Sequence, residues 1–112
     1  MSTVRIDAMR TVTSASMTTS YQTLGTAFNH AMRLVHFING TNGDVVVSFD
    51  GNINNIPVLA NSFVLYDTTT NEDENEAFRW AANTQAYVKW LNGAPGIPTG
   101  SFYLATMYAQ GE

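Results

Sequence analysis

Residues 32–57 read "MRLVHFINGTNGDVVVSFDGNINNIP", and this stretch decides the class of fold. Two runs of β-branched and aromatic residues, 32–38 and 45–49, are each closed by a cluster of Asn, Gly and Asp. Such runs suit a pleated, half-buried surface, and such clusters punctuate it. "NGTNGD" contains two Asn-Gly pairs, which favour the positive φ values of a tight hairpin turn. Asp50-Gly51 makes a second turn pair, and Pro57 bars a central-strand position.

The pattern continues in both directions. Downstream come "SFVLYD" (62–67), the polar run "TTTNEDENE", "AFRWAA" (77–82), "AYVKWL" (86–91), the Gly/Pro loop "NGAPGIPTG" and "SFYLATMYA" (101–109). Upstream, "TVTSASMTTSYQTLGTAF" is rich in Thr and Ser with thin apolar alternation, broken near Gly25. Residues 1–20 read as an exposed strand or extended arm, and 21–112 as the domain proper. No stretch carries a 3.6-residue period with helix formers and caps. The expectation is a single-domain, all-β antiparallel sandwich, jelly-roll-like, of about seven or eight short strands.

Composition agrees. The 112 residues suffice for one core without disulfides or metal, and 45% are hydrophobic. Only 12% are charged, about half the usual share, the polar residues being mostly Thr, Ser and Asn. A net charge of −4 removes the general attraction to phosphate backbones. Nucleic acid and anionic membrane are therefore not expected partners. Cysteine is absent, which excludes a disulfide framework, a thiolate zinc site and a Cys nucleophile. The N-terminus lacks the apolar core of a signal peptide, and no apolar run approaches the roughly 20 residues that span a bilayer. Asn39-Gly40-Thr41 spells a glycosylation acceptor but reads here as a turn.

Candidate chemistry is thin. Asp50, Asn52 and Asn54 alternate like the first half of a calcium loop. Counting from Asp50, the sixth position is Asn55 and the twelfth Asn61, where such a loop needs Gly and a bidentate Glu. A capped structural turn is the expected reading. His30 and His36 fall on one face of a continuous strand, but about 20 Å apart, too far to share a metal. Ser48, a His and Asp67 carry no G-x-S-x-G elbow, and Gly93, Gly96 and Gly100 sit beside prolines rather than in a phosphate loop. The run Glu72, Asp73, Glu74 and Glu76 reads as an exposed loop or as a docking loop for a basic neighbour. No catalytic, cofactor or metal residue is assigned.

Two strands are apolar on both faces, which a two-layer sandwich does not require. In 101–109, Phe102, Leu104 and Tyr108 oppose Tyr103, Ala105 and Met107; in 86–91, Tyr87 and Leu91 oppose Val88 and Trp90. Aromatics on a second face point to a surface covered by another chain. Trp80, Tyr87, Trp90, Tyr103 and Met107 are the interface candidates; Trp80, Trp90 and Tyr87 read as filling core or interface, or alternatively as a sugar-stacking platform.

Four stretches, "YQTLGTAFNHAMRLVHFINGTNGDVVVSFDG" (21–51), "SFVLYDTTTNE" (62–72), "NTQAYVKW" (83–90) and "GSFYLATMYA" (100–109), carry a resemblance spanning about Ala15 to Tyr108. In their order and spacing they resemble a family of small virion proteins of tailed bacteriophages. One departure is visible at "ANSFVLYD", where Ala60 and Asn61 stand in place of Pro or Gly. Asn tolerates left-handed φ, so the turn is expected to survive. The resemblance implies a non-enzymatic structural subunit assembled in the host cytoplasm, either a tail or head–tail adaptor to which fibres attach or a capsid decoration protein. Its implied partners are portal, tail, fibre or major capsid proteins, and copies of itself. An extended N-terminal arm would suit strand addition to a neighbour.

Overall fold

The computed structural model describes residues 4–67 and 80–109. Among the described residues nine strands occur in chain order: β1 (Val4–Ile6), β2 (Arg10–Thr13), β3 (Gln22–Thr23), β4 (Met32–Asn39), β5 (Val45–Ser48), β6 (Ile56–Val58), β7 (Phe63–Asp67), β8 (Tyr87–Trp90) and β9 (Ser101–Ala109). The larger sheet has the order β1-β9-β4-β7, with β2 also on β9, and the smaller sheet has the order β3-β8-β5-β6. All pairings are antiparallel.

The pairings are nested. β5 pairs with β6, β4 with β7, β3 with β8 and β2 with β9. A long hairpin rolled over on itself produces this order, which is the jelly-roll topology. The fold is an all-β sandwich of that type.

Alternation builds the core. On β4 the inward residues Val35 and Phe37 are fully buried; on β9 so are Phe102 and Leu104. Facing them from the smaller sheet are Val47, Val88 and Trp90, none more than 1% exposed. The Phe37 ring packs at 6.3 Å from Phe102 and 6.2 Å from Phe49. Burying each such side chain contributes about 1.5–3 kcal/mol.

"NGTNGD" does not make a hairpin. It carries the chain from β4 in the larger sheet to β5 in the smaller one. The reason is Asn39, 1% exposed, whose amide organises the crossing. Its Nδ2 donates to the Gly43 carbonyl at 2.9 Å and the Val58 carbonyl at 2.8 Å, and its Oδ1 accepts the Thr41 N–H at 2.9 Å. The turn pair that does close a hairpin is Asp50-Gly51, between β5 and β6. At the β6–β7 crossing Asn61 has φ 58°, the left-handed conformation expected of it.

The N-terminal segment is not a free arm. β1 and β2 run along the whole of β9 as one interrupted edge strand. From Ile6 to Arg10 is four steps, against three from Met107 to Leu104, so one extra residue is bulged out between the two strands. Val12 and Met17 join the hydrophobic core, and Arg10 is 7% exposed. The Thr/Ser-rich residues around them gave no strong alternation, because few of the segment's side chains point inward.

Candidate functional site

The turn after β5 is held by its own side chains. Asp50 Oδ1 accepts the N–H groups of Asn52 and Ile53, both at 2.8 Å, and the Ser48 hydroxyl at 2.8 Å. These donors, led by the Ile53 and Asn52 amides, hold the Asp50 carboxyl below the ordinary aspartate value. Asn55 Oδ1 accepts the Phe49 N–H at 3.0 Å, and Asn54 accepts from the Tyr21 hydroxyl. Burial, and then the nearby Asp50 charge, push the Tyr21 phenol upward. Of the residues that alternate like ligands, Asp50 thus holds backbone amides and the Ser48 hydroxyl, and Asn54 holds the Tyr21 hydroxyl. Ser48 is committed to this turn, not to a histidine.

The two histidines part company. β4 begins at Met32 and shifts register between Met32 and Leu34, so the strand expected to carry both is not continuous. His30 stacks on Tyr108, with ring centroids 3.9 Å apart and planes within 6°. His36 lies on the other face of the sheet, edge-on to Phe63 at 5.2 Å. No group of three or more His, Asp or Glu able to hold a metal occurs among the described residues. The acidic run 72–76 lies outside the described residues.

The interface candidates separate into four places. Trp90 is 1% exposed and its Nε1 donates to the Met17 carbonyl at 3.1 Å. It is a core residue that offers no surface to a partner or a sugar. Trp80 is half-buried, bonds through its backbone to Met32, and packs on Phe49 at 5.1 Å and Tyr66 at 5.7 Å. Tyr87 is half-buried on the outside of the smaller sheet beside Gly51. On that face Lys89 stands in a row with Val46 and Pro57, and its Nζ lies 4.7 Å from the Tyr21 ring centroid. Tyr103 and Met107 stand on the outside of the larger sheet.

Register places them in an apolar surface that extends across the strands. One row reads Thr11, Tyr103, Ile38, Phe63; the next Ala105, His36, Leu65; the third Ile6, Met107, Leu34, Asp67. Phe63 is 63% exposed, Leu65 46% and Ile6 80%. In a two-layer sandwich this face should be wet and polar. His36 Nε2, at its centre, is buried and makes no hydrogen bond to the described residues, an uncommon condition for a buried polar atom. Phe63, Leu65 and Ile38 were missed in the sequence although "FVLYD" alternates; a five-residue strand apolar at four positions does not say which side is out.

A groove of about 400 Å³ lies between the β1–β2 bulge and the loop after β3, lined by Asp7, Met9, Arg10, Thr26 and Asn29. Its Arg10 guanidinium is already engaged by Asp7 Oδ2 at 3.2 Å, the Thr26 carbonyl at 2.8 Å and Thr106 Oγ1 at 3.4 Å, and it covers the Phe28 ring. These contacts tie the N-terminal strand to the domain and leave little of the cation for a ligand. Comparison with known protein families, with curated proteins and with solved structures finds no match.

Proposed function

We propose that the protein is a non-enzymatic structural subunit of a tailed-bacteriophage particle, built in the host cytoplasm and held to its neighbours through the outer face of the larger sheet. The observation that carries this reading is the set of apolar rows through Tyr103, Ile38 and Phe63 and through Ile6, Met107 and Leu34. Contiguous exposed apolar surface on a small protein marks a contact site. The phage setting comes from the resemblance of residues 21–51, 62–72, 83–90 and 100–109. The jelly roll suits it, since viral capsid domains use this architecture, but lectins use it too. Within the particle, the tail or head–tail connection is the first assignment and capsid decoration the second. Portal, fibre or capsid proteins and further copies of the chain are the partners. The sugar-platform reading loses its main support because Trp90 is enclosed.

The test is particle incorporation of a Tyr103→Ser, Ile6→Ser double variant. Loss of incorporation by tenfold or more, with the variant folded, supports the reading. Wild-type incorporation, or absence of the parent chain from particles, refutes it. The position of its density in an image of the intact particle separates tail from capsid.

A further inference from the structure

Among the described residues the sheets present four edges, and three are protected. β3 contributes two residues, β6 contributes three including Pro57, and the β1–β2 edge is bulged. Short strands, proline and bulges are the usual devices that stop an edge from pairing with another chain. β7 has none of them. Its five residues, FVLYD, contain no Pro, Lys or bulge, and no described strand pairs with its far side.

Which groups face outward follows from the ladder. Asn39 N–H donates to the Ser62 carbonyl at 2.9 Å, so Asn39 and Ser62 are a hydrogen-bonded pair. Bonded and non-bonded pairs alternate in an antiparallel ladder. Val64 and Tyr66 therefore bond inward to β4, while the N–H and C=O of Phe63 and Leu65 point away from it, to the side where no described strand pairs.

We infer that two copies of this chain pair antiparallel through β7 about a two-fold axis at Val64. In this register Phe63 of each copy meets Leu65 of the other, and both pairs exchange their N–H···O bonds. The side chains meet as well: Phe63 and Leu65, 63% and 46% exposed, become cross-strand apolar neighbours. Centring the axis on Leu65 would instead set Phe63 against the Asp67 carboxylate. A second copy is the occupant that fits, because the exposed edge is complementary to itself, as an isologous contact requires. Pairing also joins the two outer apolar faces into one. So short a contact buries less than the roughly 1,000 Å² of a stable interface, so association of the isolated chain is weak, about micromolar or weaker. The inference extends the assembly reading, since the pair would be a building unit of the particle.

Sedimentation or light scattering of the full chain over a wide concentration range tests it, together with hydrogen exchange at each end of that range. A monomer–dimer equilibrium is expected, with slower exchange at Phe63 and Leu65 as concentration rises. Leu65→Pro, which removes one outward N–H and leaves the β4 bonds intact, should raise the dissociation constant at least tenfold; Phe63→Lys should do likewise. A strict monomer up to millimolar concentration overturns the proposal. So do Leu65 amide protection independent of concentration and a folded Leu65→Pro variant that still pairs normally. Incorporation of a strictly monomeric chain into particles would overturn the pairing and leave the assembly reading standing. Pairing by a chain absent from particles would do the opposite.

Discussion

Gly100 and Gly40 meet where two loops cross, so closely that a Cβ added to Gly100 would lie 2.0 Å from the Gly40 carbonyl oxygen. The obstacle is backbone, and Gly40 is itself fixed by its N–H bond to the Ser101 carbonyl at 3.0 Å. Gly100 also has φ 79°. Gly100→Ala should therefore cost at least about 3 kcal/mol in denaturant unfolding. Gly93 shares the left-handed conformation at φ 92° but has nothing near its missing Cβ. Gly93→Ala should cost only the strain of that conformation, about 1–2 kcal/mol. The difference between the two isolates the crossing.

Asp50 sets a pH dependence at the β5–β6 turn. Its folded-state pKa is lowered by the amides it accepts from, so its contribution is present above the unfolded aspartate value of about 4. It is lost as pH falls through the depressed folded value. Melting temperatures from pH 7 to pH 2 should show a fall below about pH 4 that is reduced in Asp50→Asn. Identical relative curves for the two proteins would remove Asp50 from this role.

Trp90 and Trp80 should respond unequally to the same change. Trp90→Phe opens space in a closed core and leaves the Met17 carbonyl without its indole donor, costing about 2–4 kcal/mol. Trp80→Phe, at a half-buried position among other rings, should cost about 1–2 kcal/mol. Chemical denaturation of the two variants measures both.

Three Asn-Gly pairs occur, at 39, 42 and 92, and they should age at different rates. Deamidation needs the Gly nitrogen to attack the Asn side-chain carbonyl and expel ammonia, after which water opens the ring. The Asn39 amide is buried with several partners, and Asn42 is pinned at both ends, to the Ile97 carbonyl at 2.8 Å and the Thr99 N–H at 3.0 Å. Asn92 has a single long contact, 3.5 Å to Asp44 Oδ2. Peptide mapping after incubation at pH 8–9 should find the mass gain first at Asn92. The product places two carboxylates side by side at Asp44, loosening the loop between β8 and β9.

How much of this was legible depended on whether a signal was local. Strand runs at 32–38, 62–67 and 101–109 and the turn pair Asp50-Gly51 are local, and the structure has strands and a turn there. The outcome of "NGTNGD" was not legible, because it rests on the Asn39 amide reaching the Val58 carbonyl, 19 residues on. The same holds for the N-terminal segment, where strand pairing with β9 is set by partners some 90 residues away. Trp90 read as core or interface, because a two-residue period separates the faces of a strand without saying which one is inside; the structure puts it in the core. Tyr103 and Met107 came from the same kind of alternation on β9, where they do stand outside.

The nesting of the strands also bears on when the outer face comes into being. The innermost pair, β5 and β6, is closed by a short loop, whereas β2 and β9 meet across a separation as long as the 91 residues from Thr11 to Phe102. Loop closure of that length is slow, and jelly-roll pairing of this kind places such domains among the millisecond-to-second folders. β9 supplies one residue to each row of the outer face, Tyr103, Ala105 and Met107, and it is the last of the described strands in chain order. A half-folded chain therefore does not present the complete apolar face. The outer apolar face is thus completed only at the final closure of the larger sheet, when β9 takes its place between β4 and the β1–β2 edge.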